Sequence, residues 1–169
     1  GSFNNELGVP LTVLRADLNT KWLVLEMGAR GIGHIAYLCS IAKPDVAAVL
    51  NVGSAHVGEF GSVESIAVAK GEIIEALDAS GIAVLNADDP FVADMRDRAG
   101  GSVTTFGSEA DVSIRDRVTL DEFGHARVTL RADQHDWSVT IPQIGLHHGV
   151  NAAAAFAIAR AAGLDAEQI

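Results

Sequence analysis

One cysteine in 169 residues, Cys39, excludes an internal disulfide and a cysteine-rich zinc site. In its apolar helical setting it reads as a buried small hydrophobe in a reducing compartment. Lysine is almost as scarce, with only Lys21, Lys43 and Lys70 against nine arginines. Basic residues as a class are outnumbered, 12 Lys and Arg against 22 Asp and Glu, and the formal net charge of -10 opposes sequence-independent attraction to nucleic acid or anionic lipid. A phosphate ligand must therefore be met locally, by a cation, a helix N-terminus or a few placed basic groups. No apolar run approaches the ~20 residues of a membrane span, and no secretory signal pattern opens the chain. The nucleophile elbow G-x-S-x-G and the phosphate loop G-x-x-x-x-G-K-[ST] are both missing.

What is present alternates. "WLVLEM" (22–27), "VAAVLNV" (46–52) and "IAVLNA" (82–87) are short apolar runs of the kind found in strands buried on both faces. Helical patterns lie between and after them: 34–42, ended by Lys43-Pro44; 62–78, opened by a capping serine; and "DDPFVADMRDRA", with Asp89 as cap and Pro90 at the first helical position. Strands alternating with helices predict a parallel α/β sheet with right-handed crossovers. "VTTFG" adds a strand, after which the pattern changes to polar–apolar alternation with turns at 121–124 and 133–135, a small antiparallel β-meander. An alanine-rich helix over 150–162 follows. The expected division is a parallel α/β part over 1–107, an antiparallel β part over 108–142 and terminal helices over 143–169.

In an open parallel sheet, ligands bind beyond the carboxyl ends of the strands. Glu26, then Asn51 and His56, then Asn86, Asp88 and Asp89 fall there, and Lys70, eight residues into the following helix, is placed to point back toward them. Glu26 and His56 are suited to approach a common cation, but an ammonium at Lys70 would repel it. Carbamylation of the lysine by CO2 would turn it into an anionic oxygen ligand, and such a set suits Mg²⁺ or Mn²⁺. The plainer reading leaves Glu26 as a helix cap, His56 as a loop residue and Lys70 solvated. "GARGIG" (28–33) follows a strand and precedes a helix, but it does not have the G-x-G-x-x-G spacing of a dinucleotide site. "NADDP" is first a strand-to-helix turn with a cap and only second a site for a ribose or base. "GLHHGVN" sets His147, His148 and Asn151 at the start of the last helix, as caps or as readers of a planar polar ring.

Taken together, "FNNELGVPLTVL", "LEMGARGIGHI", "KPDVAAVLNVGSAHVGEFGSVESIAVAKGEI", "VLNADDP" and "GLHHGVNAAAA" resemble the central, ATP-binding domain of the Mur ligase family. The likeness covers nearly the whole chain and is nearest to the family's MurF branch, the UDP-N-acetylmuramoyl-tripeptide:D-alanyl-D-alanine ligases. It implies a P-loop NTPase-like α/β domain in which Glu26, His56 and a carbamylated Lys70 bind Mg²⁺ or Mn²⁺. It also implies that Asn5 lies near the nucleotide-sugar substrate, that His147 and Asn151 meet the adenine of ATP, and that Asn86 and Asp88 lie near the nucleotide. His148 stands where the family's motif usually has asparagine. The implied reaction is amide synthesis in the cytoplasm for peptidoglycan. ATP activates a carboxylate of the UDP-muramoyl-tripeptide as an acyl phosphate, and D-Ala-D-Ala displaces the phosphate.

The resemblance further implies that the phosphate-loop strand, the N-terminal UDP-binding domain and the C-terminal domain belong to the same polypeptide outside this stretch. The piece alone is then expected to have negligible ligase activity. Competing readings are another amide ligase of the superfamily (MurE-like, folylpolyglutamate or cyanophycin-type) and a non-catalytic α/β binding module with an acidic surface.

Overall fold

The computed structural model describes residues 3–53 and 57–169. Three parallel strands form one half of a seven-stranded sheet: β1 (Val46–Val49), β2 (Ile82–Asn86) and β3 (Ser102–Gly107). Their side chains alternate between two cores, because successive residues of a strand face opposite sides. Ala47, Val49, Ala83 and Leu85 pack against one layer, whereas Val46, Ala48, Ile82 and Val84 belong to the other. The first layer is led by α4 (Val63–Glu75), which contributes Ile66 and Ile74. Val92 of α5 (Pro90–Ala93) and Met95 of the following 3-10 turn (Asp94–Arg98) complete it. Burial on both sides explains the unbroken apolar runs of β1 and β2.

The helices begin where local chemistry lets them. Ser62 caps α4 by accepting the Ser65 N–H, and Asp89 caps α5 by accepting that of Val92, with Pro90 at the first helical position. The remaining helices near the amino end are α1 (Gly8–Val13), α2 (His34–Ile41) and the single turn α3 (Val57–Phe60).

The antiparallel part is continuous with the parallel sheet. β4 (Val112–Ile114) runs parallel to β3, with Phe106 opposite Val112, and antiparallel to β6 (His125–Ala132). β5 (Thr119–Leu120) pairs with the first half of β6, and β7 (His135–Ile144) covers its other edge. The β6–β7 turn has positive φ at Asp133 (50°) and Gln134 (65°), the geometry of a type I′ hairpin, and Arg160 donates to the Asp133 carboxylate at 2.8 Å. The second core lies between these strands and α6 (His147–Ala161), where Phe106, Val128 and Leu130 meet Ala153, Phe156 and Ala157.

Residues 22–27, expected as a strand, carry no regular secondary structure. A strand needs a ladder partner; among the described residues β1 pairs only with β2 and nothing pairs with 22–27. Trp22, Leu23 and Val24 accordingly stand exposed. Among the described residues no helix is long and apolar enough to cross a membrane.

Candidate functional site

The carboxyl ends of β1 and β2 meet in a compact polar cluster. Asn86 is the last residue of β2 and is 7% exposed. It donates from Nδ2 to the Leu50 carbonyl (2.8 Å) and accepts the Asp88 N–H on Oδ1 (2.9 Å). Asp89 joins the same cluster from its helix cap: besides the Val92 N–H it accepts the Val52 N–H at 2.7 Å. Lys70 reaches this cluster from α4 and donates to the Asn51 carbonyl at 2.6 Å. Partial burial lowers the pKa of its ammonium, and the charge of Asp89 opposes part of that shift. The ends of β1 and β2 thus bring Asn51, Lys70, Asn86 and Asp89 together, whereas Glu26, expected with them at the end of a strand, lies in a segment without regular secondary structure.

The other expected residues are placed as follows. Glu26 is exposed and accepts from Asn4 Nδ2 at 2.6 Å, so its carboxylate is oriented by a neighbour 22 residues earlier. Asn5 accepts the N–H groups of Leu7 (3.2 Å) and Gly8 (2.9 Å), and in this structure it opens α1. Asp88 holds the Ser108 N–H and hydroxyl beyond β3. It borders a cleft of about 480 Å³ that Arg115, Arg117, Val118 and Val150 also line. That cleft adjoins the start of α6, where His147 and Asn151, four residues apart, share one helix face and are both exposed. The His147 and His148 rings lie 4.0 Å apart between centroids. The helix opens at His147, three residues earlier than expected, with no side-chain cap. His56 lies outside the described residues.

Glu26 is held by Asn4 and Lys70 by Asn51, and among the described residues no group of three or more His, Cys, Asp or Glu is arranged to hold a metal ion. The donor chemistry nevertheless fits a hard divalent cation. Glu26 offers an accessible carboxylate, and burial of Lys70 favours the neutral amine that carbamylation needs.

Sequence reasoning missed Glu72. The residue is 7% exposed, and its carboxylate accepts the N–H groups of Gly33 and Ala36 at the first turn of α2. The available signal was negative: α2 follows Gly33, which offers no capping side chain, and has no acidic residue in its first turn.

Residues 1–159 match the model of the Mur ligase middle domain, a span that takes in every candidate residue from Asn5 to Asn151. The chain belongs to the Mur ligase family. Across its whole length it is 46% identical over 170 residues to the UDP-N-acetylmuramoyl-tripeptide–D-alanyl-D-alanine ligase of Mycobacterium tuberculosis (strain H37Rv), of which it spans 33%. Crystal structure I of MurF from Acinetobacter baumannii superposes with a TM-score of 0.92 at 36% identity, covering 99% of this chain and 37% of that one. The MurF ligase from Thermotoga maritima in complex with ADP superposes with a TM-score of 0.84 at 36% identity, covering 98% and 38%. This Mur ligase segment therefore spans about a third of the length of the relatives it matches.

Proposed function

We propose that the chain is the nucleotide- and cation-binding segment of an ATP-dependent amide ligase that joins D-alanyl-D-alanine to UDP-N-acetylmuramoyl-tripeptide. The observation that carries this reading is likeness along the whole of this chain to about a third of such ligases, combined with a half-buried Lys70 at the sheet's carboxyl end. The ADP complex of the Thermotoga maritima relative supports ATP as the nucleotide. His147 and Asn151, on one exposed face at the start of α6, are assigned to the adenine, with Asn86 and Asp88 nearby; Asn5 is assigned to the nucleotide-sugar side.

Glu26, His56 and carbamylated Lys70 would hold Mg²⁺ or Mn²⁺, which would neutralise charge between the reacting carboxylate and phosphate oxygens. The chain's own residues prepare that site. Asn86 and Asp89 fix the backbone after β1 by binding the Leu50 carbonyl and the Val52 N–H, so that Lys70 meets a set surface. Partial burial of Lys70 lowers the cost of the neutral amine, whose nitrogen attacks CO2 and releases one proton to give the carbamate. Catalysis of this kind is mostly positioning and charge compensation.

The test is Mg²⁺- and D-Ala-D-Ala-dependent phosphate release by the native polypeptide that carries this segment. Lys70→Ala should lower the rate about 10²–10³-fold, the usual effect of removing one electrostatic stabiliser, and a short-chain carboxylate should partly restore it. Undiminished activity would overturn the role of Lys70. Turnover with single amino acids but not with D-Ala-D-Ala would overturn the substrate.

A further inference from the structure

We propose that Glu72 is the positioning residue of this cation site, holding Glu26 and Lys70 in register from outside the ligand set. The inference rests on the reading of Glu26 and Lys70 given above. Glu72 lies on α4 two residues beyond Lys70, and its side chain turns to a different neighbour. One carboxylate oxygen accepts the Gly33 N–H and the other the Ala36 N–H at 2.9 Å, from 39 and 36 residues away. These are free donors of the first turn of α2. Gly33 occupies the cap with φ +92°, a left-handed conformation that favours glycine, and glycine has no side chain to satisfy them.

The segment between Glu26 and α2 is thereby tied at both ends. At its start the Gly28 N–H donates to the Asn4 carbonyl at 2.7 Å, and Asn4 Nδ2 donates to Glu26. At its end Glu72 holds Gly33. An unbroken path of hydrogen bonds and short backbone runs from Glu26 through the glycine loop to Glu72 and Lys70. A buried glutamate with both carboxylate oxygens engaged supports a fixed position. A cap supplied from α4 also makes the placement of α2 depend on the helix that carries Lys70. Partners outside the ligand set commonly control metal affinity in this way.

The experiment measures Mn²⁺ binding by electron paramagnetic resonance on the native polypeptide, below the unfolding temperature of every variant. Lys70→Ala defines the share of Mn²⁺ binding that belongs to this site, and Met95→Ala, in the core beside β2, controls for loss of stability alone. Glu72→Ala should weaken the Lys70-sensitive binding about 10–100-fold, and the amides of Gly33 and Ala36 should lose protection from hydrogen exchange. Glu72→Gln, which keeps one carbonyl oxygen as an acceptor, should fall between Glu72→Ala and wild type. Wild-type affinity in Glu72→Ala, or equal weakening by Met95→Ala, would overturn the positioning role and leave the site intact. If wild type shows no Lys70-sensitive Mn²⁺ binding, the reading of the site fails, and this inference with it.

Discussion

Gly71, between Lys70 and Glu72, gives a test whose sign depends on a single contact. A Cβ built on Gly71 would lie 1.8 Å from Nη1 of Arg98 and 2.2 Å from its Cζ, so the guanidinium must leave if the residue becomes alanine. Arg98 there donates to the Ala67 and Val68 carbonyls at 3.2 and 3.0 Å and pairs with Glu75 at 2.9 Å. Its side chain is 25% exposed, so solvent weakens these interactions without removing them. Two such hydrogen bonds contribute about 0.5–1.5 kcal/mol each, and the partly exposed ion pair adds about 0.2–1 kcal/mol. Alanine in a helix interior returns about 1 kcal/mol over glycine. Gly71→Ala should therefore destabilise the native polypeptide by about 0.2–3 kcal/mol. In an Arg98→Ala background the same change should stabilise it by about 0.5–1 kcal/mol. Urea unfolding of the four variants of the cycle yields the coupling directly. Equal destabilisation in both backgrounds would refute the assignment of the cost to Arg98.

Three further outcomes follow from Asn86 and Cys39. Asn86→Leu keeps the volume but strands the Leu50 carbonyl and the Asp88 N–H, and should cost about 2–4 kcal/mol by chemical denaturation; a loss under 1 kcal/mol would mean that water replaces both bonds. Burial, reinforced by the charge of Glu72, raises the Cys39 thiol from 9.0 to about 11. At pH 8 its thiolate fraction is then about a hundredth of that in the unfolded chain, and alkylation by iodoacetamide should be slowed about 100-fold. Between pH 9 and about 11 the unfolded chain loses this proton first, so this group's contribution to stability should fall as pH rises through that window. Equal alkylation rates in native and urea-unfolded protein would exclude the shift.

The elements that the sequence made legible are those whose causes are local. The runs of β1 and β2 show no alternation because each strand meets α4 on one face and α6 on the other. Ser62, Asp89 and Pro90 announce their helices within four residues. Where a partner decides, the sequence is silent. Residues 22–27 have the composition of a strand, yet nothing among the described residues pairs with them. The boundary expected at residue 107 falls inside the sheet, because the ladder between β3 and β4 is set by the fold and not by alternation. The site divides the same way. The placement of Lys70 and Asn86 beyond the end of β1 was legible from topology, whereas the Asp88 side chain turns to Ser108 beyond β3. Glu72 was not legible, since its two partners are 36 and 39 residues away and its own neighbours in sequence look like any helix face.

The arrangement of Lys70, Gly71 and Glu72 has a mechanical meaning. Successive residues of an α-helix are turned by about 100°, so three in a row face three directions. Here each direction has a specific occupant: Lys70 takes the backbone after β1, Gly71 lies under Arg98 from the turn after α5, and Glu72 caps α2. One such contact leaves a helix free to rotate about its axis, whereas three at different azimuths fix that rotation. The apolar face of α4, buried through Ile66, Ala69 and Ile74, sets the helix's depth against the sheet but tolerates small rotations, because apolar burial is non-directional. Hydrogen bonds are directional. They supply what the core cannot, a defined heading for the Lys70 amine relative to the ends of β1 and β2. On this argument the glycine is as much a part of the site's geometry as the charged residues on either side of it.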